Sequence, residues 1–442
     1  MPFDPAVIRA SFAVVERRAD HMAKYFYAHL FAHHPGVRDF FPEQMAEQRD
    51  RLFAALTQLV LRLENPGQLT GYLRALGRDH RKFQAAPEHY PAVGASLIAA
   101  LRHFSGHSWT LEIEKAWTEA FTVIAQVMTE AAAEDEPESP AWWEAEVTNR
   151  RRGAPDVVVL TLAPDRPYPF TAGQYLSLCS PRVPRVWRPY SIANAPRPDG
   201  SLDVHVRRVR GGLLSTALVE DVMPGDRLRL GPAIGDACLV PGSRRPLLAV
   251  AGGTGWGQIK ALLEDLLAAP DPRRVMVYLA ARSDADQYDL AAVEQLVDRY
   301  SRLDVLLAAP ADGADRTSAN GLLTDGLRAH GDWEGWDVHL SGPPGLAPEI
   351  TELLLGLGAE PERIRHDPVP ETLNRTRPLT SSDWFLDRRD VAWINRTELG
   401  RTEPPAPAAT PWFHSLNWER LLETYGVPLL AAIVVLLVGL WV

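Results

Sequence analysis

The chain has 442 residues, a formal net charge of −10, and 46% hydrophobic and 23% charged residues. This length allows two or three domains with full cores, and the acidic balance without a Lys/Arg cluster argues against a nucleic-acid partner. The only two cysteines, Cys179 and Cys238, exclude a disulfide framework and a four-thiolate metal site, and they fit a reducing compartment.

The first part of the chain, residues 1–134, is predicted to be a helical domain. Apolar residues recur at helical spacing from Leu52 to Val60 and from Val93 to Phe104, and Asn65-Pro66-Gly67 supplies a break between them. The run from Glu134 to Pro140 is acidic, contains prolines and lacks apolar residues, so it is predicted to be a linker.

Two further domains are predicted from strand patterns. Residues 141–241 contain short strands separated by turns, which predict a small antiparallel β-barrel; the strands are Ala145–Thr148, Asp156–Leu162, Tyr175–Leu178, Leu202–Arg207 and Arg227–Leu230. Residues 246–370 contain strands that alternate with helices, which predicts an α/β domain with a parallel sheet; the strands are Leu247–Val250, Arg274–Ala280, Arg302–Ala308 and Asp337–Ser341.

The barrel carries a candidate flavin site in the strand Arg188-Pro189-Tyr190-Ser191. Flavin binding needs a cation for the pyrophosphate, an aromatic face for the ring system and a hydroxyl near its reactive nitrogen. Arg188, Tyr190 and Ser191 supply these groups from one strand end. A helix then opens after Gly211-Gly212, with Ser215 and Thr216 in its first turn, and its free amide groups favour an anion such as the pyrophosphate.

The α/β domain carries a candidate nicotinamide site. The turn Gly252-Gly253-Thr254-Gly255 follows a buried strand and precedes a helix, where glycines permit close approach to a dinucleotide phosphate. Ser341-Gly342-Pro343 lies at the end of a later strand, and ligands of parallel sheets gather at this edge. A tight strand–helix connection without a ligand is the alternative reading of such a turn. NADH and NADPH are both left open, since Arg282 and Ser283 could meet a 2′-phosphate or be solvated.

Residues 141–370 resemble the ferredoxin-NADP reductase superfamily through these motifs. The resemblance implies that the Arg-x-Tyr-Ser strand binds FAD, and that the glycine turn and a Cys-Gly-Pro motif bind NAD(P)H. The chain departs from that pattern at three places: Ser341 replaces the cysteine, Trp256-Gly257-Gln258 replaces a small residue followed by proline, and Val369 stands where an aromatic residue is common.

A haem pocket needs a neutral imidazole, apolar walls and polar groups opposite, and His80 is the best candidate ligand. A surface or core histidine is the alternative, since the chain has 13 His. The order and spacing of the residues around it resemble the globin domain of flavohaemoglobins; these residues are Tyr27, Phe40, Phe41, Gln48, His80, Phe83 and Tyr90.

The resemblance assigns a role to each of these positions. It implies that His80 binds haem iron, that Phe41 packs on the porphyrin, that Tyr27 and Gln48 hydrogen-bond dioxygen, and that Tyr90 orients the proximal side. The chain differs from the family at two positions. Ala132 stands where the family has a glutamate that contacts the proximal histidine, and Asp79 stands where the family has a lysine just before that histidine. Because such groups set the basicity of a proximal histidine, peroxidase-like chemistry is less expected than oxygen binding.

The last part of the chain is predicted to be a tether followed by a membrane anchor. Residues 371–424 are polar and rich in proline and are expected to be largely extended, with Trp384 and Trp393 able to dock on this protein or on another one. Residues 425–442 are predicted to be a transmembrane tail, and a C-terminal helix docked into a soluble core is the alternative. Val427 to Val442 carries no charge, and as a helix it spans roughly 24 Å of a hydrocarbon core of about 30 Å. The rest of the protein is expected to face the cytoplasm.

The sequence therefore predicts a multidomain chain: an all-α globin, an FAD-binding β-barrel, an NAD(P)-binding α/β domain and a C-terminal transmembrane helix. The resemblance implies electron transfer from NAD(P)H through FAD to haem b, and oxygen-dependent conversion of nitric oxide to nitrate. Two alternatives remain open: a diaphorase that reduces a quinone or protein acceptor at the membrane, and a haem-based oxygen or redox sensor.

Overall fold

The computed structural model describes residues 3–268, 273–281, 287–308 and 316–367. The predicted tether and tail lie outside these residues, as do Arg282, Ser283 and Val369. Within the described ranges, no helix is both long and apolar enough to cross a bilayer.

The N-terminal part is helical, as predicted. Its helices are α1 (Pro5–Glu16), α2 (Ala19–His33), α3 (Ala46–Leu61), α4 (Pro66–His80), α5 (Tyr90–Ser105) and α6 (Leu111–Asp135). The side chain of Asp4 caps α1 and that of Thr110 caps α6 by accepting backbone N–H groups. Helix α6 continues through Glu134 and Asp135, where a linker was predicted, because both carboxylates pair with arginines of the α4 segment.

Helices α4 and α6 cross at very short range. A Cβ atom on Gly77 would lie 2.3 Å from the backbone oxygen of Met128, so only glycine fits at this crossing. The close crossing fixes α4, and therefore its last residue, against the longest helix of the domain.

The middle part is a curled antiparallel sheet with a short helix. Its elements are β1 (Trp143–Ala154), β2 (Val157–Pro164), β3 (Tyr175–Ser180), β4 (Val183–Ser191), β5 (Leu202–Arg207), α7 (Leu213–Glu220) and β6 (Arg227–Leu230). The strand order is β4-β3-β6-β1-β2-β5, and an isolated bridge between Ile192 and Val204 brings the two ends of the sheet together. Alternate residues such as Leu160 and Leu162 of β2 point into one core with Leu176 of β3.

The last described part is a parallel sheet flanked by helices. Its strands are β7 (Leu247–Gly252), β8 (Val275–Ala280), β9 (Leu303–Ala308), β10 (Asp337–Ser341) and β11 (Ile364–His366), and its helices are α8 (Trp256–Ala268), α9 (Leu290–Arg299), α10 (Arg316–His330) and α11 (Leu346–Gly356). The strand order is β11-β10-β7-β8-β9. Residues of β7 alternate between two cores: Leu247 and Ala249 face one, while Leu248 and Val250 face the other.

Candidate functional site

His80 is the last residue of α4, and its imidazole is oriented by its own helix. Its Nδ1 lies 2.8 Å from the carbonyl oxygen of Leu76. Because a carbonyl oxygen only accepts, Nδ1 carries the proton and Nε2 keeps its lone pair. Burial lowers the pKa of His80, so the ring is neutral near pH 7. A neutral imidazole with a free Nε2 is the form that binds iron, so the residue fits a haem group.

The position that resembles the proximal glutamate of flavohaemoglobins is Ala132 in this chain. Ala132 carries no polar group, and its acidic neighbours are engaged elsewhere: Glu130 accepts from Gln126, and Glu134 pairs with Arg74. Among the described residues, the only hydrogen-bond partner of the His80 ring is a neutral carbonyl. A carbonyl increases the basicity of a ligating histidine less than a carboxylate does, so the preference for oxygen binding over peroxidase-like chemistry stays a prediction.

Tyr27 of α2 supplies a buried hydroxyl next to the start of α3. The hydroxyl donates to the backbone oxygen of Gln48 at 3.3 Å, and burial raises the pKa of Tyr27, so the phenol stays protonated. The Phe41 ring packs edge-to-face on Tyr27 at 5.4 Å. Arg51 lies within electrostatic reach of both Tyr27 and Asp79, the neighbour of His80. The structure thus brings together Tyr27, Phe41 and Gln48.

Tyr90 begins α5 and is only partly buried. Burial raises its pKa. No hydrogen bond joins its hydroxyl to His80 in the described part of the chain. The implied role of Tyr90 in orienting the proximal histidine therefore stays a prediction.

The residues of the flavin motif lie at the end of β4. Ser191 pairs with Tyr175 of β3, and Tyr190 packs against the core of the sheet. Burial raises the pKa of Tyr190, which keeps the phenol neutral. The Arg188 guanidinium forms an ion pair with Glu47 of α3, the residue next to Gln48. Arg188 is therefore positioned as a partner for an anion, as a flavin pyrophosphate requires.

Helix α7 opens beside this strand with Gly212 as its N-cap. The Ser215 hydroxyl accepts from the Val209 amide at 3.1 Å and donates to the Gly212 carbonyl at 3.2 Å, so it braces the loop that precedes the helix. The Thr216 amide also bonds to Gly212. The unpaired amide groups of the first turn are the groups that favour an anion.

The two predicted nicotinamide motifs meet in the structure. Strands β7 and β10 are neighbours, with Ala251 opposite Ser341. A Cβ on Gly255 would lie 2.3 Å from the Ser341 oxygen, and one on Gly252 would lie 2.8 Å from Cδ of Pro343. The close approach of the Ser341-Gly342-Pro343 segment therefore requires glycine at these two positions of the turn. The two motifs lie together at one edge of the sheet.

The unusual Trp256 and Gln258 are both buried and join the α/β domain to the flavin domain. The Trp256 indole N–H donates to Asp289 at 2.9 Å, and the other oxygen of Asp289 pairs with Arg151 of β1 at 2.6 Å. The Gln258 amide donates to the Gly173 oxygen at 2.7 Å. The departures from the family pattern thus form contacts between domains.

A small pocket lies at the edge of the parallel sheet where the glycine turn is located. It is lined by residues that include Gly253, Trp256, Tyr288, Asp289 and Leu290. The Tyr288 hydroxyl is hydrogen-bonded at 2.7 Å to His205 of β5, whose pKa burial lowers to about 3. The imidazole of His205 is therefore neutral. This contact could not be predicted from the sequence, since a lone His and a lone Tyr in separate domains have no distinguishing pattern.

Gln258 also contacts Asp367, the last described residue. Its amide donates to Oδ2 of Asp367 at 2.6 Å, whereas Oδ1 is buried without a hydrogen-bond partner among the described residues. Burial raises the pKa of Asp367 to about 6. This carboxyl is a titratable group beside Tyr175, the strand partner of Ser191.

Comparisons with known proteins agree with this arrangement. The globin family model matches residues 24–128, the oxidoreductase FAD-binding domain matches residues 144–237, and the oxidoreductase NAD-binding domain matches residues 249–352.

Relatives match these domains in one continuous chain. A flavohemoprotein of Rhizobium meliloti is 25% identical over 389 residues, covering 82% of this chain and 96% of that protein. A flavohemoprotein of Deinococcus radiodurans is 27% identical over 385 residues, covering 82% and 95%. The crystal structure of a flavohemoglobin from Malassezia yamatoensis with bound FAD and heme has a TM-score of 0.68 at 19% identity and covers 82% of this chain and 97% of that one.

Proposed function

We propose that this flavohaemoprotein, a globin joined to the FAD- and NAD-binding domains of an oxidoreductase, is an NAD(P)H-dependent nitric oxide dioxygenase. Its cofactors are haem, FAD and NAD(P)H. When bound, these groups supply a hydride acceptor, single-electron transfer and an iron centre for dioxygen. The observation that carries the proposal is geometric: one helical domain holds an imidazole anchored through Nδ1 at His80 and a buried hydroxyl at Tyr27.

The residues of the chain have separate tasks in this proposal. His80 would hold the iron through Nε2, with Nδ1 fixed on Leu76. Tyr27 would donate a hydrogen bond to a diatomic ligand, because its buried phenol does not ionise near pH 7. Phe41 would exclude water from that side. Arg188 would bind the flavin pyrophosphate in place of Glu47.

The test is consumption of nitric oxide by the purified, cofactor-loaded protein with NADH and oxygen, with nitrate measured as the product. We expect consumption well above that of free flavin and free haem. His80→Ala should abolish it, whereas His107→Ala, on an exposed residue between α5 and α6, should leave it unchanged. A wild-type rate equal to that of the free cofactors would refute the proposal. Slow turnover combined with partner binding that depends on the haem state would instead favour a haem-based oxygen or redox sensor.

A second candidate is delivery of electrons to a membrane acceptor, a quinone or a protein. It is favoured by the uncharged apolar run from Val427 to Val442, which also supports the proposal that the protein is anchored to the membrane with its domains facing the cytoplasm. Deletion of residues 411–442 distinguishes nitric oxide dioxygenation from electron delivery to a membrane acceptor. Nitric oxide consumption should survive the deletion, whereas membrane binding and reduction of a membrane acceptor should be lost. A deletion variant that still sediments with membranes would contradict the anchor.

A further inference from the structure

Trp187 lies directly before Arg188 on β4 and faces the globin domain. Its neighbour Val186 points into the core of the flavin domain, so the alternation of the strand turns the Trp187 ring away from that core. Trp187 is nevertheless only 6% exposed, because Lys82 and Phe83, which follow α4, cover its ring. A buried tryptophan outside its own domain's core marks the contact between the two domains.

Three aromatic rings form a continuous path from His80 to this strand. The Phe83 ring packs edge-to-face on His80, with centroids 5.8 Å apart. The same ring packs edge-to-face on Trp187, with centroids 6.4 Å apart. The path therefore starts at the candidate iron ligand and ends one residue before the flavin anchor Arg188.

Lys82 holds this path from one side. Its side chain is 5% exposed, and its ammonium lies over both Phe83, at 5.1 Å from the ring centroid, and Trp187, at 5.6 Å. The ammonium donates to Ser177 of β3 at 2.9 Å and pairs with Asp79. Burial of a charge is costly unless each donor is satisfied. Here the partners come from both domains, so the charge stabilises only the docked arrangement.

The backbone of Trp187 is fixed as well. Its carbonyl oxygen accepts from Arg188 at 2.9 Å and from Arg51 of α3 at 3.5 Å. The ring and the carbonyl of one residue are thus both held by groups next to the two cofactor sites.

We propose that Trp187 is the bridging residue between the flavin strand and the proximal haem segment, and that Lys82 is a positioning residue that keeps Trp187 packed on Phe83. Electrons tunnel more efficiently across packed atoms than across a gap, so the bridge sets the rate of flavin-to-haem transfer. With the cofactors bound, NADH would supply a hydride to the flavin and leave as NAD⁺, and the flavin would supply single electrons to ferric haem, so no side chain is consumed as an oxidant or reductant. The inference rests on electron transfer to haem and is independent of nitric oxide chemistry.

The test separates flavin reduction from haem reduction in the loaded, full-length protein. NADH is mixed with it anaerobically, and the flavin and haem absorbance bands are followed in one stopped-flow trace. In Trp187→Leu we expect normal flavin reduction and about tenfold slower haem reduction, equivalent to about 1.4 kcal/mol of barrier. Trp187→Phe should restore most of the rate. Trp142→Leu, at a partly exposed position of the flavin domain, is the matched control.

Hydrogen exchange of residues 78–84 and 175–191 reports docking without turnover. Lys82→Met should raise exchange in both segments and slow haem reduction, and Lys82→Arg should reverse both effects. Trp187→Leu should leave exchange near the wild-type level. Unchanged haem reduction in Trp187→Leu would overturn the proposal. Hydrogen exchange in Trp187→Leu that rises as far as in Lys82→Met would also overturn it, because Trp187 would then only dock the two domains. Because no nitric oxide or oxygen is present, failure here is distinct from failure of the dioxygenase proposal.

Discussion

Substitution of Gly255 by alanine is expected to damage the nicotinamide site selectively. The new Cβ would lie 2.3 Å from the Ser341 oxygen and 2.6 Å from the Gly342 nitrogen, whereas real Cβ contacts essentially never fall below 3.0 Å. The opposing atoms are backbone atoms at the ends of buried strands, so they cannot rotate away as a side chain would. The glycine turn and the Ser341 segment must therefore separate by several tenths of an ångström.

The size of the effect follows from this displacement. Overpacking of this kind costs about 1–3 kcal/mol. If the displacement persists in the complex with NADH, kcat/KM for flavin reduction falls by about 10- to 100-fold. The haem and flavin sites contain neither Gly255 nor Ser341, so haem content and flavin content should not change.

The measurement is NADH-driven flavin reduction under anaerobic conditions, with dithionite reduction of haem as an internal control. Gly356→Ala serves as the matched control, because a Cβ at Gly356 meets nothing within 4 Å and lies in the same domain. A kcat/KM equal to wild type in a correctly loaded Gly255→Ala protein would refute the reasoning, since it would mean that the two motifs do not form one site.

Three further outcomes are expected. His80→Gly should lose the haem Soret band and regain it with added imidazole, because the free ligand replaces Nε2; no rescue would contradict ligation by His80. Tyr27→Phe should raise the oxygen dissociation rate up to about tenfold, the value of one hydrogen bond, and an unchanged rate would exclude Tyr27 as a donor. The third outcome concerns Asp367, whose pKa is raised to about 6. The folded protein therefore holds a proton that the unfolded chain loses near pH 4, so stability falls as the pH rises from about 4 to 6. Asp367→Asn should remove this loss of folding stability, which is at most about 3 kcal/mol. The Tm of the variant should therefore be higher than that of the wild type at pH 8 but not at pH 4. An equal increase in Tm at both pH values would contradict the reasoning.

The order and type of the domains could be predicted because they depend on local periodicity. Strand β7 was predicted from its continuous apolar run, which reflects burial on both faces of a parallel sheet. Strand β1 is longer than predicted, since Asn149 to Arg152 are polar, yet their backbones still pair with β2. Helix α6 also extends beyond its predicted end, because ion pairs with arginines stabilise its acidic last turn. In both cases a tertiary contact overrides the local signal.

The contacts between domains could not be predicted from the sequence. Gln258 and Asp367 are far apart in the chain, and their hydrogen bond depends on the approach of α8 to the end of β11. Lys82 and Trp187 each look ordinary in isolation, and only the docking of the globin on the flavin domain gives them a shared environment. The sequence motifs predicted the cofactor sites, whereas the contacts that connect those predicted sites required the structure.

The close crossing at Gly77 has a mechanical consequence. Gly77 rests directly on the backbone of Met128, and one turn further on, beyond His80, Arg81 donates to the carbonyl of Ser139 at 2.8 Å, where the chain leaves the globin. The C-terminal turn of the helix that carries the imidazole is therefore braced by α6 at Gly77 and, just beyond His80, by the segment leading to the next domain. A force along this helix at His80 would therefore act on the connecting segment at Ser139, through the hydrogen bond from Arg81.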